Sequence, residues 1–133
     1  MATPASPQQL GDGLEAHRDW LFTYGILRAP ATLRAILGQV PPGGATAHVE
    51  GYWRRTGAEG YYYLVSAPSR ARVLGILWQV TAAELRLLDA VEDVDPADPG
   101  SPTGEYRRVR GVAHTAGGPV SCWLYLGSTV AHP

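Results

Sequence analysis

The carboxylate of Glu92 stands where the helix pattern of residues 84–93, ELRLLDAVED, calls for an apolar side chain. Leu85, Leu88 and Glu92 follow one another at i, i+3 and i+7, a spacing that places all three near one face of a helix. Burial beside Leu88 and the negative end of the helix dipole both disfavour ionisation, so we expect a raised pKa for Glu92. A carboxyl group of this kind is suited to general acid–base catalysis.

Two structural roles would explain the same carboxylate. Polar residues on an apolar helix face usually have a partner, and Arg107 or Arg108 would provide one as an ion pair with Glu92. Alternatively, the helix end turns towards solvent. The spacing leaves these alternatives open, because it fixes the helix face and not the neighbours.

A second candidate is the segment FTYGILR, residues 22–28, in which a strand pattern leads through Gly25 into a helix start. Such a turn presents backbone N–H groups at the positive end of a helix, where anions bind. The segment has one glycine and no following Lys-Ser/Thr, so it is neither a Walker nor a Rossmann loop. A tight connection without a ligand is the alternative.

The elements that position these residues include two helices. One is predicted within RAPATLRAILGQ, where Pro30 suits a first helical turn and Gly38 suits a C-terminal stop. The other lies within TAAELRLLDAVED, where Thr81 and Glu84 have the spacing of a capping box. We expect the second helix to end at about Glu92.

Short apolar segments predict four strands, which are WLFTYG, ARVLGILWQV, YRRVRGVAHT and VSCWLYLG. The second of these is apolar on both faces, so we expect it to lie centrally in the sheet. The last two form a closing pair. The stretch AHVEGYWRRTGAEGYYYLVS is interpreted as two strands joined by a turn. This order favours an α+β fold with a small mixed, mostly antiparallel β-barrel and two main helices. The predicted domain covers residues 20–127, between a disordered N-terminal tail (1–19) and a C-terminal tail (128–133).

Composition excludes several classes of partner. The 133 residues carry a net charge of −1, with eleven basic and twelve acidic side chains, which favours neither a nucleic acid nor an anionic membrane. The sequence has no run of about 18 apolar residues, and residues 1–13 lack the order of a secretion signal, so the expected compartment is the cytoplasm. The residues do not indicate an oligomeric state.

The sulfur and imidazole groups predict no metal site from their spacing. The single cysteine, Cys122, falls in a strand pattern and is expected to be a buried, inert thiol. The histidines are scattered, without a metal-ligand spacing such as HxxxH. They are His17, His48, His114 and His132.

Taken in order, six segments resemble the gamma-glutamylcyclotransferase-like superfamily, most closely its avirulence-induced-gene-like branch. They are FTYGILRAPATLRAILG, VEGYWRR, YYYLV, VLGILWQVTAAELRLLDAVE, YRRVRGVA and CWLYL, and together they span residues 22–126. The resemblance implies a small mixed barrel and an intramolecular reaction. The free α-amine of a gamma-glutamyl group attacks its own γ-carbonyl and releases 5-oxoproline together with an amine or amino acid.

The resemblance also implies roles for individual residues. Glu92, which ends the LDxxE helix, would act as the general base and then as the general acid. The substrate, a small gamma-glutamyl compound, would be bound by Tyr24, Gly25, Ile26, Leu27, Tyr61, Tyr106 and Tyr125. No metal or organic cofactor is required. The alternatives are a non-catalytic binding module of the same fold and an amide hydrolase that uses the same glutamate.

The sequence departs from the family pattern at two places. Ile26 stands where the family usually has Ser or Thr, so a hydroxyl contact is lost, which favours the binding module. The segment between Glu92 and Tyr106 is longer than usual in the family. It would be a lid, a specificity loop or an inert insertion.

Overall fold

Five strands close into a barrel in the computed structural model, which describes residues 17–57 and 60–128. The strands of these residues are β1 (Asp19–Thr23), β2 (Gly43–Glu50), β3 (Tyr52–Thr56), β4 (Tyr62–Ser66), β5 (Arg72–Val80), β6 (Tyr106–Thr115) and β7 (Gly118–Gly127). The order around the barrel is β1-β5-β2-β6-β7. All its pairings are antiparallel except the parallel contact of β1 with β7, where Leu21 faces Trp123. The predicted α+β fold and its small mixed barrel are thereby confirmed. The strand β5 pairs with β1 and β2, but in a closed barrel every strand has two neighbours, so the predicted central position of β5 has no counterpart.

Two helices pack outside this barrel, and both begin and end where the sequence predicts. The first, α1 (Pro30–Leu37), starts at Pro30 and ends at Gly38, whose φ of 85° lies in the left-handed region. The second, α2 (Ala82–Val91), begins with the predicted capping box. The Glu84 N–H donates to the Thr81 hydroxyl at 3.1 Å, and the Thr81 N–H donates to the Glu84 carboxylate at 2.9 Å. This start fixes the phase of α2 and therefore the face on which Glu92 emerges.

The prediction of two strands in residues 47–66 was wrong, because this stretch contains the end of β2 and the whole of β3 and β4. Gly51 separates β2 from β3 with a φ of 85°, a conformation that glycine adopts without a steric penalty. The chain leaves the barrel at this point, and β3 and β4 form a separate two-stranded sheet. The sequence pattern of alternating residues runs across Gly51 and does not reveal the exit.

The core has two layers, which meet at β1. The adjacent residues Leu21 and Phe22 are both 0% exposed, because successive side chains of a strand point to opposite sides. Phe22 belongs to the cluster inside the barrel, whereas Leu21 packs in the cluster with Leu33 of α1 and Leu88 of α2. The burial of Leu88 holds α2 on the barrel wall one turn before Glu92.

Most residues of the two predicted tails, 1–16 and 129–133, lie outside the residues that the structure describes. The disordered N-terminal tail therefore stays a prediction.

The strand β1 begins at Asp19, one residue before the predicted start of the domain. The Asp19 carboxylate accepts hydrogen bonds from Trp123 Nε1 and Arg110 Nη1, each at 3.0 Å.

Cys122 is buried in β7, as predicted, and burial raises the pKa of its thiol to about 11. A protonated, enclosed thiol is a poor nucleophile. Across the part of the chain that the structure describes, no helix has the length and apolar character needed to span a membrane.

Candidate active site

Glu92 is the residue that follows the last turn of α2, and its side chain lines a cavity of about 290 Å³. Its backbone N–H donates to the Leu88 carbonyl at 3.0 Å, which closes the helix. Burial raises the pKa of the Glu92 carboxyl to about 7, with further contributions from the negative charges of Glu105 and Asp89. The group therefore populates both protonation states near neutral pH, as a group that accepts and returns a proton must.

Arg108 does not pair with Glu92. Its guanidinium binds Asp89, one turn earlier in α2, with hydrogen bonds of 2.8, 3.1 and 2.9 Å. Tyr125 donates a further hydrogen bond of 2.7 Å to the same carboxylate. Among residues 17–57 and 60–128, the ion pairs within 4.0 Å do not include Glu92. The ion-pair alternative for Glu92 thus has no support in this structure.

The structure gathers most of the predicted site residues around one cavity. Its lining contains Glu92 together with Tyr24, Gly25, Ile26, Leu27, Tyr61 and Tyr106. Tyr125 is the exception, because it is absent from this lining. Its side chain is only 3% exposed and its hydroxyl is used by Asp89. Tyr125 supports the helix that carries Glu92 rather than the cavity wall.

Two tyrosine hydroxyls brace the cavity by donating to backbone carbonyls. Tyr106 donates to the carbonyl of Tyr62, and Tyr24 donates to the carbonyl of Tyr125, each at 2.6 Å. Burial, and then the charge of Glu92, raises the pKa of Tyr106 to about 12. Burial likewise raises the pKa of Tyr24 well above its ordinary value. Both phenols therefore stay neutral, and their oxygens keep acceptor capacity towards a ligand.

The segment after β1 forms the opposite wall of the cavity as a short 3-10 turn (Ile26–Arg28). The Gly25 carbonyl accepts from the backbone N–H and from Nε of Arg28, both at 3.0 Å. The Tyr24 carbonyl accepts from Arg54 Nη1 at 3.2 Å. These bonds fix the carbonyls, whereas the first N–H groups of a helical turn have no partner within the turn. The turn lines the cavity, and its role as a donor of backbone hydrogen bonds to a ligand stays a prediction.

Glu105 is a cavity residue that sequence reasoning missed. It lies 13 positions after Glu92 and returns to the same cavity because the connecting loop folds back. The Glu105 N–H donates to the Asp93 carbonyl at 2.9 Å. A Cβ on Gly104 would lie only 2.0 Å from that carbonyl oxygen, so the return depends on glycine. No rule of sequence spacing relates Glu105 to Glu92. The one hint in the sequence is that Glu105 directly precedes Tyr106, the first residue of β6 and a predicted site residue.

The long loop is held against the barrel by its own contacts. Val94 is 4% exposed, and its N–H donates to the Asp89 carbonyl at 2.9 Å. Further along, the Arg108 N–H donates to the Pro99 carbonyl at 2.8 Å. Of the three roles considered for this segment, an inert insertion fits least, because the loop ends by placing Glu105 in the cavity.

A larger and more open groove of about 870 Å³ adjoins the cavity. The two share Gly25, Ile26 and Tyr62 as a common wall. The groove extends from this wall towards His48 and His114, and its lining contains no carboxylate. Of the two, the smaller cavity is the one whose lining contains carboxylates, those of Glu92 and Glu105.

The barrel, the helix that ends at Glu92 and the turn facing it define the cyclotransferase-like class of small α+β barrels. Residues 21–132 match the family model described as "Gamma-glutamyl cyclotransferase, AIG2-like". The chain belongs to this family, as its sequence resemblance implied.

Solved structures with the same fold include a protein from Arabidopsis thaliana, with a TM-score of 0.69 and 24% identity over 87% of this chain and 72% of that one. A gamma-glutamyl cyclotransferase has a TM-score of 0.64 and 18% identity over 84% of this chain and 67% of that one. An uncharacterized protein from Homo sapiens has a TM-score of 0.65 and 18% identity over 83% and 66%. The chain thus spans about two thirds of the latter two. No curated protein matches it.

Proposed function

We propose that this protein is a cyclotransferase that converts a gamma-glutamyl amine or gamma-glutamyl amino acid into 5-oxoproline and the free amine. The observation that carries the proposal is the Glu92 carboxyl, with a pKa of about 7, in a cavity that it shares with the turn after β1. The cavity volume of about 290 Å³ is near the lower end of small-molecule sites, roughly 300–1,000 Å³. It suits the gamma-glutamyl part of a substrate.

The first step of the proposed reaction is deprotonation of the substrate. The Glu92 carboxylate takes a proton from the α-ammonium group, which frees the nitrogen lone pair. This nitrogen attacks the γ-carbonyl carbon of the same molecule and closes a five-membered ring. Because nucleophile and electrophile belong to one molecule, the enzyme has to orient them and not to bring them together.

The second step is collapse of the tetrahedral intermediate. The bond from the γ-carbon to the leaving nitrogen breaks while protonated Glu92 donates to that nitrogen. The ring nitrogen then still carries one surplus proton, which the regenerated Glu92 carboxylate takes and passes to the released amine. Two protons thus move in turn from the α-nitrogen to the leaving nitrogen, the amine leaves as an ammonium ion, no water is consumed and Glu92 returns to its starting state. Backbone N–H groups of the Gly25–Leu27 turn would stabilise the oxyanion or the substrate carboxylate.

One observation favours a second candidate, a binding module without turnover. Ile26 is 49% exposed and presents a hydrocarbon side chain in the wall where the family usually has a hydroxyl. Loss of one hydrogen bond weakens binding modestly. The backbone N–H groups of the turn do not depend on the side chain, and we therefore place catalysis first.

Product identification tests the proposal. The protein is incubated with a panel of gamma-glutamyl amines and gamma-glutamyl amino acids, and the products are identified by mass spectrometry. Cyclisation yields 5-oxoproline, whereas an amide hydrolase yields glutamate, which contains one more water. Formation of 5-oxoproline from one class of substrate supports the proposal and names the leaving group.

Two variants make the result specific to Glu92. Glu92→Gln is expected to form 5-oxoproline about 10²- to 10⁴-fold more slowly than the wild type while remaining folded. Asp98→Asn, an exposed carboxylate in the following loop, makes the same change of charge away from the cavity lining and serves as the control. Binding of a panel member without any product would instead support the binding module. Cytoplasmic location and the absence of nucleic-acid and membrane partners stay predictions.

A further inference from the structure

Three potential metal ligands meet on the outer surface of the barrel, away from the Glu92 cavity. His48 and Glu50 are two residues apart on β2, so their side chains point to the same side of the strand. His114 of β6 is the direct cross-strand partner of His48 in the antiparallel pair. Strand pairing therefore brings together two imidazoles that are 66 positions apart in the sequence.

The distances among these groups are short. The two imidazole rings are stacked, with centroids 5.1 Å apart and planes inclined by 21°. His48 Nε2 lies 3.1 Å from Glu50 Oε2, and His114 Nε2 lies 3.9 Å from Glu50 Oε1. The three ligand atoms all lie within 4.8 Å of one another. Ligand atoms around a tetrahedral zinc ion are about 3.4 Å apart, so rotations that move an atom by about 1 Å complete the arrangement.

We propose that His48, Glu50 and His114 bind a divalent transition-metal cation of the zinc type. Two imidazole nitrogens with one carboxylate select such ions over magnesium and calcium, which prefer oxygen ligands. Three protein ligands leave a fourth position for water or for a small molecule. His48 and His114 line the large groove, so this open position faces the groove.

Arg72 is the charged neighbour that competes with the cation. Its Nη2 lies 3.9 Å from Glu50 Oε2, on the adjacent strand β5. The Arg72 side chain is 64% exposed and is free to move towards solvent when a cation takes the carboxylate. The alternative is a hydrogen bond between His48 and Glu50 without any metal affinity. The inference does not depend on the cyclotransferase proposal, because none of these residues lines the Glu92 cavity.

Metal titration of the tag-free protein tests the proposal. Zn²⁺ binding is followed by calorimetry, and Co²⁺ serves as a spectroscopic probe because a tetrahedral site with imidazole ligands gives visible absorption bands. We expect one equivalent of either ion to bind the wild type. His48→Ala, His114→Ala and Glu50→Gln should each lower the affinity at least about tenfold and remove the Co²⁺ bands.

His17→Ala is the matched control, because His17 is an exposed histidine outside the cluster. It should bind Zn²⁺ like the wild type. Glu50→Gln keeps the shape of the side chain. If a histidine variant fails to fold, the Zn²⁺ affinity of Glu50→Gln still tests the proposal. The proposal is overturned if the wild type shows no saturable binding, if the cluster variants bind as tightly as the wild type, or if His17→Ala alone removes binding.

Discussion

Glu92 and Glu105 line the same cavity, although a loop separates them in the sequence. Burial raises the pKa of the Glu92 carboxyl, and the charge of Glu105 raises it further, to about 7. The loop therefore tunes the proposed acid–base group. Without the loop, only burial and the charge of Asp89 would raise the pKa of Glu92.

The first prediction concerns this second carboxylate. Glu105→Gln removes a like charge, so the pKa of Glu92 should fall below 7. Because Glu92 must be ionised to accept the α-ammonium proton, the acidic limb of the rate profile should move to lower pH. The profile of kcat/KM against pH for wild type and variant checks this. An acidic limb that stays in place would show that Glu105 does not influence the catalytic group.

The second prediction concerns folding stability. The folded protein holds the Glu92 proton more tightly than the unfolded chain, in which the carboxyl titrates near its ordinary value of 4.5. This contribution to stability is complete below about pH 4.5 and is lost as the pH rises through about 7. Glutamine does not titrate, so the stability of Glu92→Gln relative to wild type should rise by roughly 3 kcal/mol between these limits.

Urea denaturation at about pH 4 and pH 8 measures this difference. The Asp98→Asn variant is the control and should show no comparable change. A Gln variant that becomes less stable relative to wild type at high pH would indicate that ionised Glu92 is paired and stabilising.

The third prediction concerns the support of α2. Asp89 and Arg108 form a nearly buried ion pair, with side chains only 8% and 11% exposed. Asp89→Asn leaves the guanidinium without a counter-charge and should lower the free energy of unfolding by about 3 kcal/mol. Urea denaturation beside Asp98→Asn, which is exposed, checks the value. A loss below about 1 kcal/mol would mean that cation–π stacking on Trp123 is enough to stabilise the buried Arg108 guanidinium without Asp89.

The fourth prediction concerns Ile26. Ile26→Ser restores a hydroxyl at the cavity wall, and a new neutral hydrogen bond contributes about 0.5–1.5 kcal/mol. With a substrate identified from the panel, KM should fall about 2- to 12-fold with little change in kcat, because a ground-state contact is gained. Ile26→Ala is the matched control, since it removes the hydrocarbon without adding a hydroxyl. If both variants lower KM equally, the tighter binding comes from the larger free volume in the cavity and not from a hydrogen bond to the hydroxyl.

Glu92 was predictable from the sequence because local rules determine its position. The capping box of Thr81 and Glu84 sets the start of α2, and the i, i+3, i+7 spacing then fixes the face. Burial and helix position predict the direction of its pKa shift.

The features that the sequence did not reveal depend on contacts between distant residues. Glu105 enters the cavity through a loop whose path is set by backbone contacts at Gly104. His48 and His114 meet because β2 happens to pair with β6, and strand order is not encoded in the spacing of either histidine. Gly51 redirects the chain out of the barrel, although the alternation around it continues.

The rate of 5-oxoproline formation at pH 7 by wild type and Glu92→Gln tests the central claim most directly. A general acid–base group contributes about 10²- to 10⁴-fold to the rate, so kcat of the Gln variant should fall by that factor while Asp98→Asn retains the wild-type value. Circular dichroism confirms that each variant is folded. A Gln variant within about threefold of wild type would contradict the assignment of Glu92 as the proton carrier.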